Sequence, residues 1–170
     1  GLVEGATAFA LEPIVGHSNH ALTLVAYPHI GSFDGASANR PWMQELPDPL
    51  TSVVWGSWIE MHPNTAERMG YKHRDMVQIV NKQGTIEAPV YVTSRIHENI
   101  LAVPLGLGHE TYGRYANGVG ANPLRLMAAE DVAGEMRLIA TLDANSVRKS
   151  AAREELVNLR YSESQQGRGI

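Results

Sequence analysis

The chain has 170 residues, 44% of them hydrophobic and 19% charged, with a formal net charge of −4 and no cysteine. That length carries one domain with a real core, and mild acidity without a basic stripe excludes the usual nucleic-acid binder, so no nucleic-acid partner is expected. Without cysteine the chain holds neither a disulfide nor a cysteine-ligated iron–sulfur cluster, and its apolar runs are too short for direct membrane insertion.

Beginning at Gly1 instead of methionine, the chain is expected to have lost its natural start or to be a segment of something larger. Residues 1–19 mix small and polar residues without a period and read as an extended lead-in that needs a surface to lie on. His17 and His20 have a spacing two metal ligands can use, but no nearby Cys, His or carboxylate completes a site. They read as solvated loop histidines.

Residues 20–28, rich in Leu, Val and Tyr, predict a largely buried strand stopped by Pro28. Residues 31–49 are dense in turn formers and carry Asn39, Arg40, Trp42 and Gln44. Two readings of this loop stand equal: a ligand-facing segment, with Arg40 suited to pyrophosphate and Trp42 to ring stacking, or a Pro-rich connector with Trp42 as a packing anchor. Residues 52–61 are β-branched and aromatic and predict a strand, with Gly56 at a bulge. Residues 62–70 predict a short helix with Pro63 in its first turn, Gly70 as its stop, and Ala66 and Met69 packed inward. Residues 76–80, a turn at 81–84 and residues 85–93 predict a hairpin with Val77 and Ile79 on one face, entered through a turn that holds Asp75.

Residues 100–104 predict a short buried strand that delivers the chain into Pro104-Leu-Gly-Leu-Gly-His-Glu-Thr-Tyr-Gly-Arg-Tyr-Ala-Asn-Gly-Val-Gly-Ala-Asn-Pro123. Glycines at that density let the backbone reach positive φ and let main-chain N–H groups approach a ligand, the chemistry of phosphate and dinucleotide cradles. So long a loop in a compact domain is usually functional, and this one reads as a binding loop in preference to bare surface. Residues 123–127 leave it as a packed segment, and residues 135–142 predict a final strand. Beyond Asp143 the chain turns polar: residues 148–159 predict a surface helix with Leu156 and Val157 as apolar handles, and residues 162–170 a flexible end or docking arm. About six strands against one or two short helices make a mainly β, small mixed barrel with ligand loops at one mouth.

No Gly-x-Ser-x-Gly elbow, reactive cysteine or Walker loop is present, and no pair among the acidic residues stands out by spacing. Gly106-Leu-Gly108 and Gly118-Val-Gly120 do not complete Gly-x-Gly-x-x-Gly, which disfavours a Rossmann site. His109, flanked by the loop glycines, is favoured as a donor to an anionic ligand over a general base, since a base needs an orienting partner. From its residues alone this is a β-rich domain with a glycine-lined anion or nucleotide site and no reaction centre. A free-standing nucleotide-binding module is one form such a domain takes.

The order of Asn39-Arg-Pro-Trp-Met-Gln-Glu-Leu-Pro-Asp-Pro49, Trp55-Gly-Ser-Trp58, His62-Pro-Asn-Thr-Ala66, Met69-Gly70, Gly106-Leu-Gly-His109, Tyr112-Gly-Arg-Tyr-Ala116 and Gly120-Ala-Asn-Pro123 resembles the C-terminal molybdopterin-dinucleotide-binding domain of the molybdopterin oxidoreductases, the complex iron–sulfur molybdoenzymes. The resemblance covers residues 20–142, leaving 1–19 as lead-in and 143–170 as polar tail or docking arm. It implies a double-psi β-barrel that closes over bis-(molybdopterin guanine dinucleotide), whose molybdenum or tungsten is held by another domain. By the same implication Gly106, Gly108, His109 and Asn122 lie against the pterin and pyrophosphate, with Arg114 and Tyr115 nearby, and Asn39, Arg40 and Trp42 line the other side. Backbone donors and arginine suit pyrophosphate oxygens, and an Asn amide suits the donor/acceptor edge of a pterin or guanine.

The resemblance assigns no catalytic residue and no metal ligand to this chain, which is not expected to turn over alone. The family usually has Gly-Asp where this chain has Arg74-Asp75, a departure expected to cost little. Implied partners are the catalytic molybdopterin-binding domains or subunit, an iron–sulfur subunit and, in quinone-linked members, a membrane quinone-interacting subunit. The implied setting is periplasmic or membrane-associated. The implied function is the cofactor-clamping domain or split subunit of a polysulfide, thiosulfate or tetrathionate reductase-like enzyme. The alternative is a scaffold without cofactor in a quinone-linked respiratory complex resembling alternative complex III or menaquinone reductase.

Overall fold

The computed structural model describes residues 21–128, 138–152 and 156–159. The lead-in with His17 and His20, and the end of the chain from residue 160, lie outside the described residues. The seven described strands are β1 (Ala21–Tyr27), β2 (Ile59–Met61), β3 (Met76–Val80), β4 (Thr85–Val92), β5 (Ile100–Pro104), β6 (Ile139–Asp143) and β7 (Val147–Lys149). Two short helices, α1 (Pro41–Gln44) and α2 (Pro63–Met69), and 3₁₀ turns at Pro123–Leu126 and Ala144–Ser146 complete the described elements. Among these residues no helix is long and apolar enough to cross a membrane.

The strands form one mixed sheet in the order β6-β1-β5-β2-β4-β3-β7. β1 pairs parallel with β5, Thr23 opposite Ile100, and β2 pairs parallel with β4, Ile59 opposite Val90. The other four pairings are antiparallel. β6 and β7 are the two edges of this sheet, yet only the turn Ala144–Ser146 separates them in sequence. The four steps from Asp143 to Val147 reach no more than about 14 Å even when extended, so the sheet curls until its edges approach each other. The mainly β barrel with few short helices is the architecture expected from the sequence.

Period-2 alternation fills the barrel. Leu22, Leu24, Ile59, Met61, Val77, Ile79, Val90 and Leu101 point inward and are almost fully buried. Residues between them face outward, and on that side Glu60 Oε1 accepts from the Tyr27 hydroxyl at 2.7 Å and from Trp58 Nε1 at 3.2 Å. α2 forms as expected: Pro63 starts it, His62 accepts from the Asn64 N–H, and Gly70 stops it at φ +74°. The Tyr71 N–H then bonds the Ala66 carbonyl at 2.8 Å.

Two expected elements are different in the structure. Of the strand expected over residues 52–61 only Ile59–Met61 pairs in the sheet. Asp48 Oδ1 accepts from the N–H groups of Leu50 and Thr51 and from the Thr51 hydroxyl, which winds the chain into a turn, and Ser52 (φ +59°) and Trp55 (φ +55°) break the extension. The helix expected over 148–159 is replaced, among the described residues, by the end of β7 and by an antiparallel bridge from Asn158 to Val53. Leu156 is buried against Val53, Trp58 and Tyr91. Chain beyond Asp143 thus adds both a sheet edge and core contacts. Val147 and Leu156 supply what the polar composition concealed.

Arg74 stands at φ +73°, so the departure from Gly-Asp puts a side chain on a left-handed position. The turn is held around it: Asp75 Oδ2 accepts from the Lys72 N–H at 2.8 Å and pairs with Lys149 Nζ at 3.0 Å. An L-residue there costs about 1 kcal/mol, more than the little that the resemblance implies. Arg74→Gly is therefore expected to raise stability by no more than about 0.5 kcal/mol after the extra entropy glycine loses on folding, read as an upward shift of the denaturation midpoint without a change in slope.

Candidate functional site

β5 ends at Pro104 and releases the glycine-rich loop, which folds back on itself through a parallel bridge between His109 and Asn117. All five of its glycines, Gly106, Gly108, Gly113, Gly118 and Gly120, have positive φ. At Gly108 (φ +81°) a Cβ would overlap the Asn122 amide nitrogen and stand 2.5 Å from the Ala121 carbonyl carbon. Only glycine lets the two arms of the loop touch there. The Ser57 hydroxyl, itself buried, accepts from the Ala121 N–H at 2.9 Å and lies within 3.3 Å of the Ala121 carbonyl, pinning the returning arm.

The arms enclose a cleft of about 250 Å³. Gly108, His109 and Asn122 line it, together with Thr85 and Glu87 from β4 and Glu110 and Arg125. Asn122 Oδ1 accepts from the Leu124 N–H at 3.1 Å and so caps the following 3₁₀ turn. The His109 ring stacks obliquely on Tyr112, centroids 4.8 Å apart, and its Nε2 is buried with the Gly35 backbone against it. A Cβ on Gly35 would stand 2.8 Å from that nitrogen.

The other residues singled out from the sequence lie elsewhere. Gly106 packs its α-carbon on Ser32, behind the cleft. Asn39, Arg40, Arg114 and Tyr115 gather on a second face: Asn39 Oδ1 accepts from the Tyr115 N–H at 2.9 Å, and the Arg114 guanidinium lies 5.6 Å from the Tyr115 ring centroid. The Tyr112 hydroxyl reaches the Ala36 carbonyl at 3.0 Å, so the two loops form one unit. Trp42 is 64% exposed, which removes its reading as a packing anchor. Gln44, which one of the two readings of this loop turned toward a ligand, is buried and donates to the carbonyls of Ala38 at 2.6 Å and Tyr115 at 2.7 Å. It is a cross-link between the loops.

Sequence reasoning passed over Ser57, Thr85, Glu87, Glu110 and Arg125. Each is an ordinary polar residue in its own segment and joins the site only when the sheet curls. The cavity between the loops, lined by His29, Ser37, Gln44, Trp58 and Leu107, measures about 20 Å³, roughly the room for one water. A cofactor does not fit there.

His29 belongs to that interior. Its Nδ1 accepts from the Ser32 N–H at 3.2 Å, its Nε2 stands 3.7 Å from Asp48 Oδ2, and its ring meets Trp58 edge-on. Burial holds its pKa below the usual 6.5, against the opposing pull of the Asp48 carboxylate. The unfolded chain therefore binds a proton that the fold resists: this contribution to stability is complete above about pH 6.5 and is lost as pH falls through the lowered value in the fold. A stability-versus-pH series is expected to drop as pH falls below about 6.5, and His29→Gln to flatten that segment. An unchanged slope would exclude His29 as its source.

A glycine-walled cleft beside an arginine-bearing face points toward a phosphate-bridged ligand, and the comparisons with known proteins bear on which. The Molydopterin dinucleotide binding domain, a family of the molybdopterin oxidoreductases, matches residues 23–141. The chain belongs to that family. A relative, the menaquinone reductase, molybdopterin-binding-like subunit of Nitratidesulfovibrio vulgaris (Hildenborough), is 28% identical over 71 residues, 42% of this chain and 10% of that protein. Among solved structures, acetylene hydratase from Pelobacter acetylenicus matches with a TM-score of 0.51 at 11% identity, covering 72% of this chain and 18% of that one. This likeness is one of fold. The Molydopterin domain thus spans between a tenth and a fifth of the length of these two proteins.

The residues of this Molydopterin domain fit a pterin dinucleotide on three counts. The cleft of about 250 Å³ has room for part of one, Gly108 lets the two arms that wall it close on each other, and Asn122, Arg125 and Arg114 of the second face supply amide and cationic donors.

Proposed function

We propose that this chain is the cofactor-clamping domain of a molybdopterin oxidoreductase, closing over bis-(molybdopterin guanine dinucleotide) in an enzyme of the polysulfide, thiosulfate or tetrathionate reductase type. The observation that carries the reading is the cleft in which Gly108, His109 and Asn122 converge within a chain of this family. Gly108, His109 and Asn122 would form the wall against the pterin and pyrophosphate, with Gly106 seating the loop on Ser32 behind it. Arg114, Tyr115, Asn39, Arg40 and Trp42 would form the second face toward the remaining part of the cofactor. When bound, the cofactor supplies a redox-active metal. This chain's own residues bind, orient and exclude water, and none of them is assigned a proton or electron transfer.

In this reading the partners are the catalytic molybdopterin-binding domains and an iron–sulfur subunit, and the setting is periplasmic or membrane-associated. Support for the partners comes from the short share of its relatives that the chain spans and from the exposure of Trp42, Phe33, Ile30, Leu46 and Leu50, large apolar side chains of the kind that partners cover.

A second reading is favoured by the relative named a molybdopterin-binding-like subunit of menaquinone reductase. In that reading this chain's barrel is a scaffold without cofactor in a quinone-linked complex, beside a membrane quinone-interacting subunit. Metal and pterin analysis of the full-length protein, purified in its native assembly, separates the two. Molybdenum or tungsten in proportion to protein, with extractable pterin, is the expected result; their joint absence sinks the enzyme reading in favour of the scaffold.

A further inference from the structure

Arg125 is the one lysine or arginine among the residues that line the cleft, and its guanidinium is engaged by the carboxylate of Glu110, which lines the same cleft. The two partners are mounted differently. Arg125 sits on the 3₁₀ turn Pro123–Leu126, capped by Asn122. Its main chain is pressed on the β3–β4 turn, where a Cβ on Gly84 would stand 2.6 Å from the Arg125 carbonyl oxygen. Asn81 Nδ2 adds a bond to the neighbouring Leu126 carbonyl at 2.6 Å. Glu110 instead stands on the glycine-rich loop between Gly108 and Gly113, and its side chain is 73% exposed, against 46% for Arg125. Glu87, the second carboxylate of the cleft, is held by the Ser150 hydroxyl.

We propose that Arg125 is the anion-binding side chain of this cleft and that Glu110 is its built-in competitor, a carboxylate occupying the guanidinium until a phosphate or diphosphate group displaces it. An exposed ion pair is weak, whereas a guanidinium binds phosphate oxygens through paired, charge-assisted hydrogen bonds. The exchange is therefore open to a phosphate or diphosphate group, while a monovalent anion meets a cleft whose only lining lysine or arginine is already neutralised and which carries a second carboxylate at Glu87. The inference deepens the cofactor reading above and rests on it for the identity of the ligand.

The test is titration of inorganic pyrophosphate into the full-length protein, made in cells unable to synthesise molybdopterin, for the native chain, Glu110→Gln, Arg125→Gln and the double variant. Glu110→Gln is expected to bind about tenfold more tightly than the native chain, a change of one decade in Kd. Arg125→Gln is expected to bind least, and the double variant to lose the whole gain. Equal binding by Glu110→Gln and the native chain overturns the proposal, as does a gain that survives removal of Arg125. Both side chains are at the surface, so thermal midpoints close to native are the check that the fold is intact; Arg125→Lys, with the charge but not the fork, is expected to fall between the native chain and Arg125→Gln. Coupling between Glu110 and Arg125 in a protein whose native form lacks pterin would leave the latch standing and remove the cofactor reading. Pterin in the native form without that coupling would do the reverse.

Discussion

Gly108→Ala is expected to destabilise the domain by about 3 kcal/mol, combining about 1–2 kcal/mol for a side chain in the left-handed region with about 1–3 kcal/mol for overpacking. The added carbon would fall on the Asn122 amide and 2.5 Å from the Ala121 carbonyl carbon, both main chain, so no rotamer change relieves it. Separating the arms also widens the cleft lined by Gly108, His109 and Asn122, and cofactor content should fall with stability. Gly118 is the internal comparison. It lines the same cleft at φ +71°, but a Cβ there meets nothing within 4 Å. Gly118→Ala should therefore show only the backbone cost, about 1 kcal/mol. Denaturant midpoints of the two variants make the measurement, and equal losses would show that contact with Asn122 is not what demands glycine at position 108.

Gln44→Leu is the second large effect, about 3 kcal/mol. The side-chain amide of Gln44 satisfies two carbonyls at once, those of Ala38 and Tyr115. An isosteric apolar side chain leaves both without that donor, each at about 1–3 kcal/mol where water does not enter. The change also removes one tie, beside those of Asn39 and Tyr112, between the loop bearing Asn39 and Arg40 and the loop bearing Arg114 and Tyr115. Hydrogen exchange should then quicken at the Tyr115 amide, which Asn39 Oδ1 holds at 2.9 Å. Trp42→Ala, two residues away but 64% exposed, is expected to leave the denaturation midpoint within about 0.5 kcal/mol of native. A large loss at Trp42 with none at Gln44 would reverse the assignment of which side chain anchors this loop.

These two positions also show where local sequence stops being informative. The density of glycines between residues 106 and 120 announced a loop with positive φ, and all five glycines take it. Which of them is indispensable depends on Asn122, Ser57 and Ser32 arriving beside them, and those encounters are tertiary. The two readings of the loop bearing Gln44 stood equal because nothing in its own segment reveals that the Tyr115 carbonyl will accept from its side chain.

By itself the sequence determined the barrel strands β1, β3, β4 and β5 and helix α2, because alternation, Pro63 and Gly70 act through neighbouring residues. It also determined the family, since motif order along the chain survives without coordinates. Only the tertiary structure decided the fate of residues 52–58, where Asp48 winds the preceding residues into a turn and Ser52 and Trp55 stand at positive φ. The same holds for residues 147–149 and Leu156, which close an edge and pack a core that their polar surroundings do not advertise. The cleft was decided there too. Glu110 and Arg125 are fifteen residues apart in a stretch with no helical period to pair them, and they meet because the glycine-rich loop turns back and the β3–β4 turn fixes where Arg125 stands.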